Sequence, residues 1–383
     1  MTRNMEFLAY AAVLAGVPLA AAARFIGRMY SEPEPASGGP FATVFVPCKG
    51  APEGLAQSLE SLLSQDYGPH EVLIVVPSPS DPAFAVAAAA AAAKGRGSVV
   101  TGGPVSPRCS GKISDLLAAL PRASRESELL VFADADLRAR PDWLRSLAAP
   151  VLRGEADIAT SCMLYAPADA GLWSFMRLLW MAAGLPLFSL LGQVAGQSIA
   201  VRRRDFEALG VAGLWSRSLM EDLALSAAAR AAGMRVAFAA RAMTWAPEGC
   251  GAQEYFSLFS KWMTCFRVYD LRVWAGALGA CFMRGWIVYW CLRAPATLWL
   301  PALLLGADAL TLALVVAALR ARLPDRFSPL HPRWVPPELW AALLSPLLWL
   351  TYAVQVLSSF GRTIRWQGRR YALRGPQDVE VVG

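Results

Sequence analysis

The chain has 383 residues, of which 56% are hydrophobic and only 17% charged, whereas soluble domains are about half apolar and a quarter charged. This balance, together with 14 tryptophans, argues against a purely cytosolic enzyme. The formal charge of +7 comes from 36 basic and 29 acidic residues, and the basic ones cluster near apolar segments, which favours a membrane surface over nucleic acid as partner.

The first apolar stretch, Phe7–Ala23, is just long enough to cross the roughly 30 Å hydrocarbon layer of a bilayer. Charged residues flank it on both sides: Arg3, Glu6, Arg24 and Arg28. We interpret residues 1–30 as a transmembrane anchor. The alternative is a cleaved secretory signal, because Ala21–Ala23 offers small residues to a peptidase.

Residues 41–240 alternate between strand and helix patterns, which is typical of an α/β domain. The predicted buried strands are Thr43–Val46, Glu71–Val76 and Leu129–Ala133. The first predicted helix has a stripe of leucines at helical spacing: Leu55, Leu59, Leu62 and Leu63. A second helix is predicted over Asp81–Lys94, because alanine has the highest helix propensity and fills most of this segment.

Two carboxylates, Asp134 and Asp136, follow the strand Leu129–Ala133 directly. The carboxyl end of a parallel strand is where open α/β sheets bind ligands. Alternate residues of an extended backbone point the same way, so both carboxylates can face one divalent cation such as Mg²⁺ or Mn²⁺. An acidic pair of this kind is also common in solvated turns, and that interpretation stays open on the pattern alone.

A further apolar stretch, Leu178–Val201, contains no charged residue and is formally long enough to span a membrane. Three glycines and Pro186 interrupt it. We therefore predict an interfacial helix followed by a buried strand in place of a membrane span.

Three more membrane helices are predicted near the end of the chain, over Val273–Leu292, Ala294–Leu319 and Leu339–Phe360. The first two contain one charge each, Arg284 and Asp308. A charge in the middle of a membrane helix is unfavourable, so Arg284 is expected to face protein or lipid headgroups, or its helix to lie in the interface.

The basic residues around these helices do not give a consistent topology. Both the loop after the third predicted span and the segment 361–383, a basic tail, carry several arginines, among them Arg320, Arg322, Arg326, Arg333, Arg362, Arg365, Arg369, Arg370 and Arg374. Both cannot face the cytosol if one full crossing separates them. Either one segment does not cross, or the positive-inside rule is broken once.

Several motifs in a fixed order carry a resemblance to a known family. They are VPCKG after the first strand, SQDY after the leucine-striped helix, EVLIVV, Gly111-Lys112, the Asp-Ala-Asp and Met220-Glu221-Asp222-Leu223. The ordered set, over roughly residues 41–270, resembles membrane glycosyltransferases of family 2, with ceramide glucosyltransferase-like enzymes and bacterial lipid- and hopanoid-glycosylating relatives most similar. The resemblance implies an α/β, GT-A-type (Rossmann-like) nucleotide-sugar domain over 41–270, between the N-terminal anchor and a membrane region over 273–360.

The resemblance also implies roles for residues that bind the donor. Lys49 is expected near the nucleotide, and Lys112 is expected to offset phosphate charge. Asp134 and Asp136 match the motif that binds the metal and the diphosphate of the sugar nucleotide. The implied cofactor is a divalent metal, Mg²⁺ or Mn²⁺.

Near the acceptor, Glu221 and Asp222 match the acidic pair that opens a helix, and Asp222 is the expected general base. Gln197, Arg202 and Arg203 lie on the strand and turn before that helix, where we predict acceptor or phosphate contacts.

The sequence departs from the family pattern at two places. Ser78 stands where the subgroup has an aspartate after the second strand, while Asp81 matches a later aspartate of the same segment. A hydroxyl is a weaker acceptor than a carboxylate. Downstream, Leu258 replaces the first residue of the family's Gln/Arg-x-x-Arg-Trp signature. Lys261 and Trp262 retain a charge and an aromatic platform for sugar or acceptor, although an amphipathic surface helix explains them equally well.

These observations predict an inverting transfer of a sugar from a UDP-sugar to a hydroxyl of a lipid, by a domain on the cytosolic side of a bacterial inner membrane. Carboxylates are expected to do the chemistry, because two histidines and seven cysteines without a CxxC pair predict neither His-based catalysis nor a zinc site. The alternatives are a processive polysaccharide synthase-like enzyme and a non-catalytic relative that binds a nucleotide or a partner.

Overall fold

The computed structural model describes residues 2–169, 171–294, 297–322 and 336–382, with side chains from residue 8 onward. The chain divides into two compact units. The membrane-helix unit comprises Met1–Ser31, Tyr165–Leu191 and Pro247–Arg362, and the α/β unit comprises Glu32–Leu164, Gly192–Ala246 and Thr363–Gly383.

The helices and strands follow one another along both units. The strands are β1 (Ala42–Pro47), β2 (His70–Val76), β3 (Gly97–Thr101), β4 (Leu129–Ala133), β5 (Ile158–Ser161), β6 (Met163–Pro167), β7 (Ser198–Arg202), β8 (Val236–Phe238), β9 (Thr244–Glu248), β10 (Thr363–Trp366), β11 (Arg369–Gly375) and β12 (Asp378–Val381). The helices are α1 (Thr2–Ser31), α2 (Leu55–Leu63), α3 (Ala83–Lys94), α4 (Gly111–Ala119), α5 (Trp143–Leu152), α6 (Leu172–Leu190), α7 (Arg203–Ala208), α8 (Val211–Trp215), α9 (Glu221–Ala231), α10 (Ala252–Tyr269), α11 (Leu271–Arg293), α12 (Trp299–Arg322) and α13 (Pro337–Ser358).

A seven-stranded sheet forms the centre of the α/β unit, in the order β3-β2-β1-β4-β7-β5-β8. Strand β1 pairs in parallel with β2 and β4, while β7 runs antiparallel to β4 and β5. All five residues of β4 are buried, because helices cover both faces of a sheet of this kind. The sheet is therefore mixed, with a parallel half that holds the first four strands.

The strands and helices predicted in this unit are confirmed, with small shifts at their ends. Strand β4 has the predicted bounds, and the four leucines of α2 are buried. Helix α3 begins at Ala83, two residues later than predicted, with Pro82 directly before it. Proline has a fixed φ and no N–H, so it suits the start of a helix and not its interior.

In the described part of the chain, five helices are long and apolar enough to cross a membrane: α1, α6, α11, α12 and α13. Four of them lie where spans were predicted. The fifth, α6, falls in the interrupted stretch Leu178–Val201, and the buried strand β7 follows it, which is the predicted sequence of a helix and then a strand.

Helices α6 and α10 pack with α13 inside the membrane-helix unit. Trp180 stacks on Phe259 with ring centroids 3.9 Å apart, and its indole N–H donates to Gln355 at 2.8 Å. Tyr255 forms a 2.8 Å hydrogen bond with Thr351. These contacts group both helices with the membrane helices, which differs from the predicted limits of 41–270 for a single catalytic domain.

Arg284 of α11 forms a bidentate ion pair with Asp308 of α12, at 2.6 and 2.9 Å. Its guanidinium also lies 3.8 Å from the ring centroid of Trp349. The prediction that Arg284 faces protein is confirmed. Of the basic loop that follows α12, Arg326 and Arg333 lie outside the described residues, as does His331.

The segment after α13 belongs to the α/β unit and is folded. Strands β10, β11 and β12 form an antiparallel sheet, and a two-residue turn joins the first two. Gln367 (φ 49°) and Gly368 (φ 79°) make this turn, with the left-handed backbone that tight hairpins require. The N–H of Val381 donates to Pro107 at 3.1 Å. The predicted basic tail is thus a three-stranded sheet over most of its length.

Candidate active site

The predicted donor residues gather at one edge of the sheet. Strand β1 leads to β2 and β3 on one side and has β4 on the other, so the order of the strands reverses between β1 and β4. Open α/β sheets bind their ligands at the carboxyl ends of the strands at such a point. Lys49 follows β1 and Asp134 follows β4, which places both at this edge.

Lys112 lies in the first turn of α4 and joins two carboxylates from other parts of the unit. Ser110 caps the helix by accepting the Ile113 N–H at 3.2 Å. Lys112 Nζ is 2.5 Å from Asp134 Oδ1 and also contacts Glu221 Oε1. Burial lowers the pKa of Lys112, but the negative charges of Asp134 and Glu221 outweigh it, so the net pKa is raised and the amine stays protonated.

Glu221 and Asp222 form the first turn of α9, where the helix dipole stabilises negative charge. Glu221 is 3% exposed, and its Oε2 has no hydrogen-bond partner in the part of the chain that the structure describes. Asp222 is half-buried and accepts N–H groups from Leu223 at 2.7 Å and from Gly196 at 3.0 Å. Burial and then the charge of Glu221 raise the pKa of Asp222 to about 7, against the opposing charge of Lys112.

The residues just before β7 hold the two acidic groups together. Gly196 donates to Asp222, and the next carbonyl, of Gln197, accepts the N–H of Asp134 at 3.3 Å. A Cβ at position 196 would lie only 2.5 Å from Glu221 Oε1, so this approach requires glycine. Sequence reasoning noted Gly196 only as a helix breaker and missed this function. The predicted acceptor contact of the Gln197 side chain stays a prediction.

Asp134 and Asp136 offer oxygen ligands for a divalent metal. Burial, followed by the charges of Asp136, Asp81 and Asp134, raises the pKa of the Cys48 thiol to about 12, so these carboxylates surround the end of β1. The described residues contain no group of three or more His, Cys, Asp or Glu side chains suited to a metal. Two carboxylates fit a hard cation that takes its remaining ligands from water and phosphate oxygens.

The other predicted donor residues lie in the loops after β1 and β2. Asp81 Oδ1 accepts the N–H groups of Gly50 at 2.7 Å and Ala83 at 2.9 Å, which ties the two loops together. Ser78 and Ser80 share a 2.9 Å hydrogen bond between their hydroxyls. Lys49 is exposed, and its Nζ is 3.5 Å from the carbonyl of Gln367 in the β10–β11 turn.

The prediction of ligand contacts for Arg202 and Arg203 is wrong. Strand β7 is antiparallel to β4, so Arg202 pairs with Leu129 at the opposite edge of the sheet. Arg202 donates to a backbone carbonyl of α5, and Arg203 donates to the carbonyl of Ser124 at 2.9 Å. The sequence pattern identified the strand but not its direction.

Lys261 and Trp262 lie on α10 in the membrane-helix unit. Trp262 packs edge-on against Phe259 and Trp180, with ring centroids 5.4 and 5.6 Å apart. This packing gives Trp262 a structural function within its own unit. The predicted contacts of both residues with sugar or acceptor stay predictions.

The C-terminal sheet contributes contacts to this edge that sequence reasoning missed. The hydroxyl oxygen of the buried Tyr371 accepts the Gly111 N–H and the Arg369 guanidinium. Ser218 Oγ donates to the carbonyl of Pro376 at 3.2 Å, and the Ser218 carbonyl accepts the N–H of Ser110. Tyr371 thereby holds the residue before Lys112. No local signal identifies such a contact, because the two segments are far apart in the chain.

Comparison with solved structures places this architecture among glycosyltransferases. The mannosyltransferase PcManGT from Pyrobaculum calidifontis, in complex with GDP-Man and Mn²⁺, matches with a TM-score of 0.51 and 19% identity over 92% of this chain and 95% of that one. The described α/β sheet therefore has the GT-A fold, as predicted.

Two other glycosyltransferase structures match at lower TM-scores. TarS 1-349 of S. aureus, in complex with UDP-GlcNAc, has a TM-score of 0.38 and 13% identity over 89% of this chain and 99% of that one. Glucosyl-3-phosphoglycerate synthase of Mycobacterium tuberculosis, in complex with Mn²⁺ and UDP-Glc, has a TM-score of 0.37 and 18% identity over 65% and 82%. No protein of curated function matches the chain.

The sequence profile of glycosyl transferase family 21 matches residues 7–379, nearly the whole chain. This match confirms the prediction of a glycosyltransferase that binds a nucleotide sugar, while the ceramide- or hopanoid-related subtype stays a prediction. The chain belongs to glycosyl transferase family 21.

Proposed function

We propose that the enzyme transfers a sugar from a UDP-sugar to a hydroxyl of a membrane lipid, with inversion at the anomeric carbon. The acceptor class is a ceramide, a hopanoid or a glycerolipid. The observation that carries this proposal is Asp222, a half-buried carboxylate whose pKa is raised to about 7, in one cluster with Glu221 and Lys112.

Asp222 is the general base of this reaction. A base works best when its pKa lies near the working pH, and Asp222 meets that condition because of burial and the neighbouring charge of Glu221. The N–H groups of Leu223 and Gly196 fix its two oxygens. Asp222 takes the proton of the acceptor hydroxyl while the acceptor oxygen bonds to the anomeric carbon and the bond to the diphosphate breaks. Attack opposite the leaving group inverts the configuration.

Lys112 offsets the charge that develops on the departing diphosphate. Asp134 and Asp136 would hold a divalent cation, which when bound neutralises diphosphate oxygens. Glu221 positions Lys112 through their ion pair and keeps the pKa of Asp222 high. Lys49, Ser78 and Asp81, in the loops after β1 and β2, complete the predicted set of donor-binding residues.

The lipid acceptor is supported by the composition of the membrane-helix unit. Its five apolar helices are compatible with a membrane protein. We propose residues 1–30 as an anchor, 273–360 as a membrane region and the cytosolic face of a bacterial inner membrane as the location of the catalytic unit. In this arrangement Gln197, Lys261 and Trp262 contact the sugar or the acceptor.

The test is UDP release from the full-length enzyme in vesicles with Mg²⁺ or Mn²⁺, UDP-sugars and ceramide, hopanoid or diacylglycerol. NMR of the glycolipid gives the anomeric configuration. Asp222→Asn should lower turnover by about 100- to 10,000-fold and leave UDP affinity unchanged, because base catalysis contributes a factor of this size. Asp66→Asn, at a side chain 65% exposed, is the matched control.

Three results would contradict separate parts of this proposal. Full activity of Asp222→Asn removes the base assignment. A product that retains the donor configuration removes the single displacement. Turnover that no lipid stimulates, with water or a soluble acceptor in its place, removes the lipid acceptor.

A further inference from the structure

Asp115, on the second turn of α4, is a carboxylate that the proposed chemistry does not use. It is 6% exposed, and its Oδ1 is buried with no hydrogen-bond partner among the described residues. Buried polar atoms are nearly always hydrogen-bonded, since an unpaired one loses its hydration without replacement. Such an exception in an enzyme is a candidate for a ligand contact.

Asp115 lies at the carboxyl ends of β2 and β3. A Cβ at Gly102, directly after β3, would overlap its Oδ1. The N–H of Gly102 donates to Val76 at 2.6 Å, and the same Cβ would lie 3.4 Å from Cα of Pro77, directly after β2. The unpaired oxygen is therefore at the sheet edge where ligands bind, on the side away from β4.

Two cationic side chains from distant parts of the chain approach this carboxylate. Burial raises the pKa of Asp115 to about 6, and the charges of Lys49 and Arg369 oppose this, while Asp81 adds to it. Lys49 comes from the loop after β1 and contacts the carbonyl of Gln367 at 3.5 Å. Arg369 begins β11, two residues after Gln367, and donates to Tyr371. The C-terminal hairpin thus brings Arg369 to the same end of the sheet as Lys49.

We propose that Asp115 recognises the nucleobase of the donor by accepting the imide N–H of uracil, with Lys49 and Arg369 as donors to the flanking carbonyls. The inference rests on the proposed use of a nucleotide-sugar donor. The edge of uracil presents a carbonyl, an N–H and a second carbonyl. A carboxylate between two cations is complementary to that order.

The same pattern discriminates against other bases. Cytosine and adenine present a ring nitrogen acceptor to the carboxylate, so the two lone pairs repel. Guanine matches the carbonyl and the N–H but directs its amino group at a cation. The expected order of affinity is UDP, then GDP, then CDP and ADP.

The test measures binding of UDP, GDP and CDP by calorimetry to the full chain purified in detergent. Wild type should bind UDP about 10- to 100-fold more tightly than CDP, the factor expected for one hydrogen bond to a charged group. Asp115→Asn should bring the two affinities within about 2-fold of each other, because its amide offers a donor as well as an acceptor. Asp157→Asn is the matched control, since Asp157 pairs with Arg235 directly before β5.

Thermal unfolding separates recognition from a structural function. Because Asp115 Oδ1 makes no hydrogen bond, Asp115→Asn should leave the melting temperature without nucleotide unchanged or raise it, while the stabilisation by UDP falls. A lowered melting temperature with an unchanged UDP effect would overturn the inference.

A second pair of variants tests the site without touching Asp115. Arg369→Gln should weaken UDP binding about 10-fold, and Arg369→Lys should recover part of it, because a cation is retained. If Asp115→Asn and Arg369→Gln both keep the wild-type ratio of UDP to CDP affinity, the Asp115 inference fails and the proposed function stands. If the wild type binds no nucleoside diphosphate, both fail.

Discussion

Each unit of this glycosyltransferase contains a buried cation among carboxylates, and the two clusters differ in their charge balance. In the membrane-helix unit Arg284 meets one carboxylate, Asp308, and both of its oxygens accept from the guanidinium. In the α/β unit Lys112 meets two carboxylates at once, Asp134 and Glu221.

The difference separates a structural pair from a reactive cluster. The arginine pair is neutral, with no carboxylate oxygen left over, and breaking it would expose charge to an apolar surrounding. The lysine cluster has one positive and two negative charges before Asp222 is counted, and Glu221 Oε2 has no partner among the described residues. An excess of negative charge attracts a metal cation and raises the pKa of a neighbouring acid.

Removing the cation of the reactive cluster should have the largest effect on turnover. Lys112→Met should destabilise the enzyme by about 3 to 5 kcal/mol, because a buried charge is left uncompensated, and lower turnover at least 100-fold. Lys112→Met/Glu221→Gln should recover most of the stability but not the turnover. Thermal unfolding and UDP release measure the two effects. Recovery of both would show that Lys112 is only structural.

Gly196→Ala should have the next largest effect. The new Cβ would lie 2.5 Å from Glu221 Oε1 and 3.2 Å from Asp222 Oδ2, so the carboxylates must move. A displacement of about 1 Å costs about 100-fold in rate. The control is Gly213→Ala, where nothing lies within 4 Å of an added Cβ. Equal kcat in the two variants would contradict the close packing described for this site.

The pH profile should show a smaller effect of the same charge excess. The pKa of Asp222 is raised to about 7, so kcat/KM should fall about tenfold for each pH unit below 7, where the base is protonated, and level off above it. Glu221→Gln removes a like charge and should move the midpoint to lower pH. For an acid with a raised folded-state pKa, stability falls as pH rises from about 4 to 7. An unmoved midpoint in Glu221→Gln would contradict the electrostatic coupling.

The closed pair should affect turnover least. Arg284→Met should lower stability by about 3 to 5 kcal/mol, because Asp308 is left buried and unpaired. Arg284→Met/Asp308→Asn should restore stability and keep turnover per folded enzyme within about 2-fold of wild type. Arg374→Met is the control, since its pair with Glu380 is exposed and worth about 0 to 1 kcal/mol. A double variant that stays inactive would give Arg284 a function in the reaction.

Features encoded in neighbouring residues could be predicted from the sequence. Asp134 and Asp136 follow a five-residue apolar run, and Glu221 and Asp222 open a helix, so short motifs placed both at their elements. The α/β alternation and four of the membrane helices follow from hydrophobic periodicity and length in the same way.

Features that depend on contacts between distant segments could not be predicted. The direction of β7 decides which end of it faces the site, and Arg202 was misplaced for that reason. Gly196, Asp115 and Tyr371 matter through atoms far away in the chain. The grouping of α6 and α10 with the membrane helices likewise depends on side-chain packing that periodicity does not encode.

The C-terminal sheet has a consequence for how the enzyme is made. A ribosome synthesises Thr363–Val381 after every apolar helix of the chain, yet this sheet contacts Lys49 and holds Gly111 next to Lys112. Until those last residues have been translated, the nascent α/β unit lacks the contacts that position its lysines. Acquisition of donor affinity is therefore delayed until the helices have left the ribosome, so that translation order itself keeps an unfinished, uninserted chain from consuming sugar nucleotide.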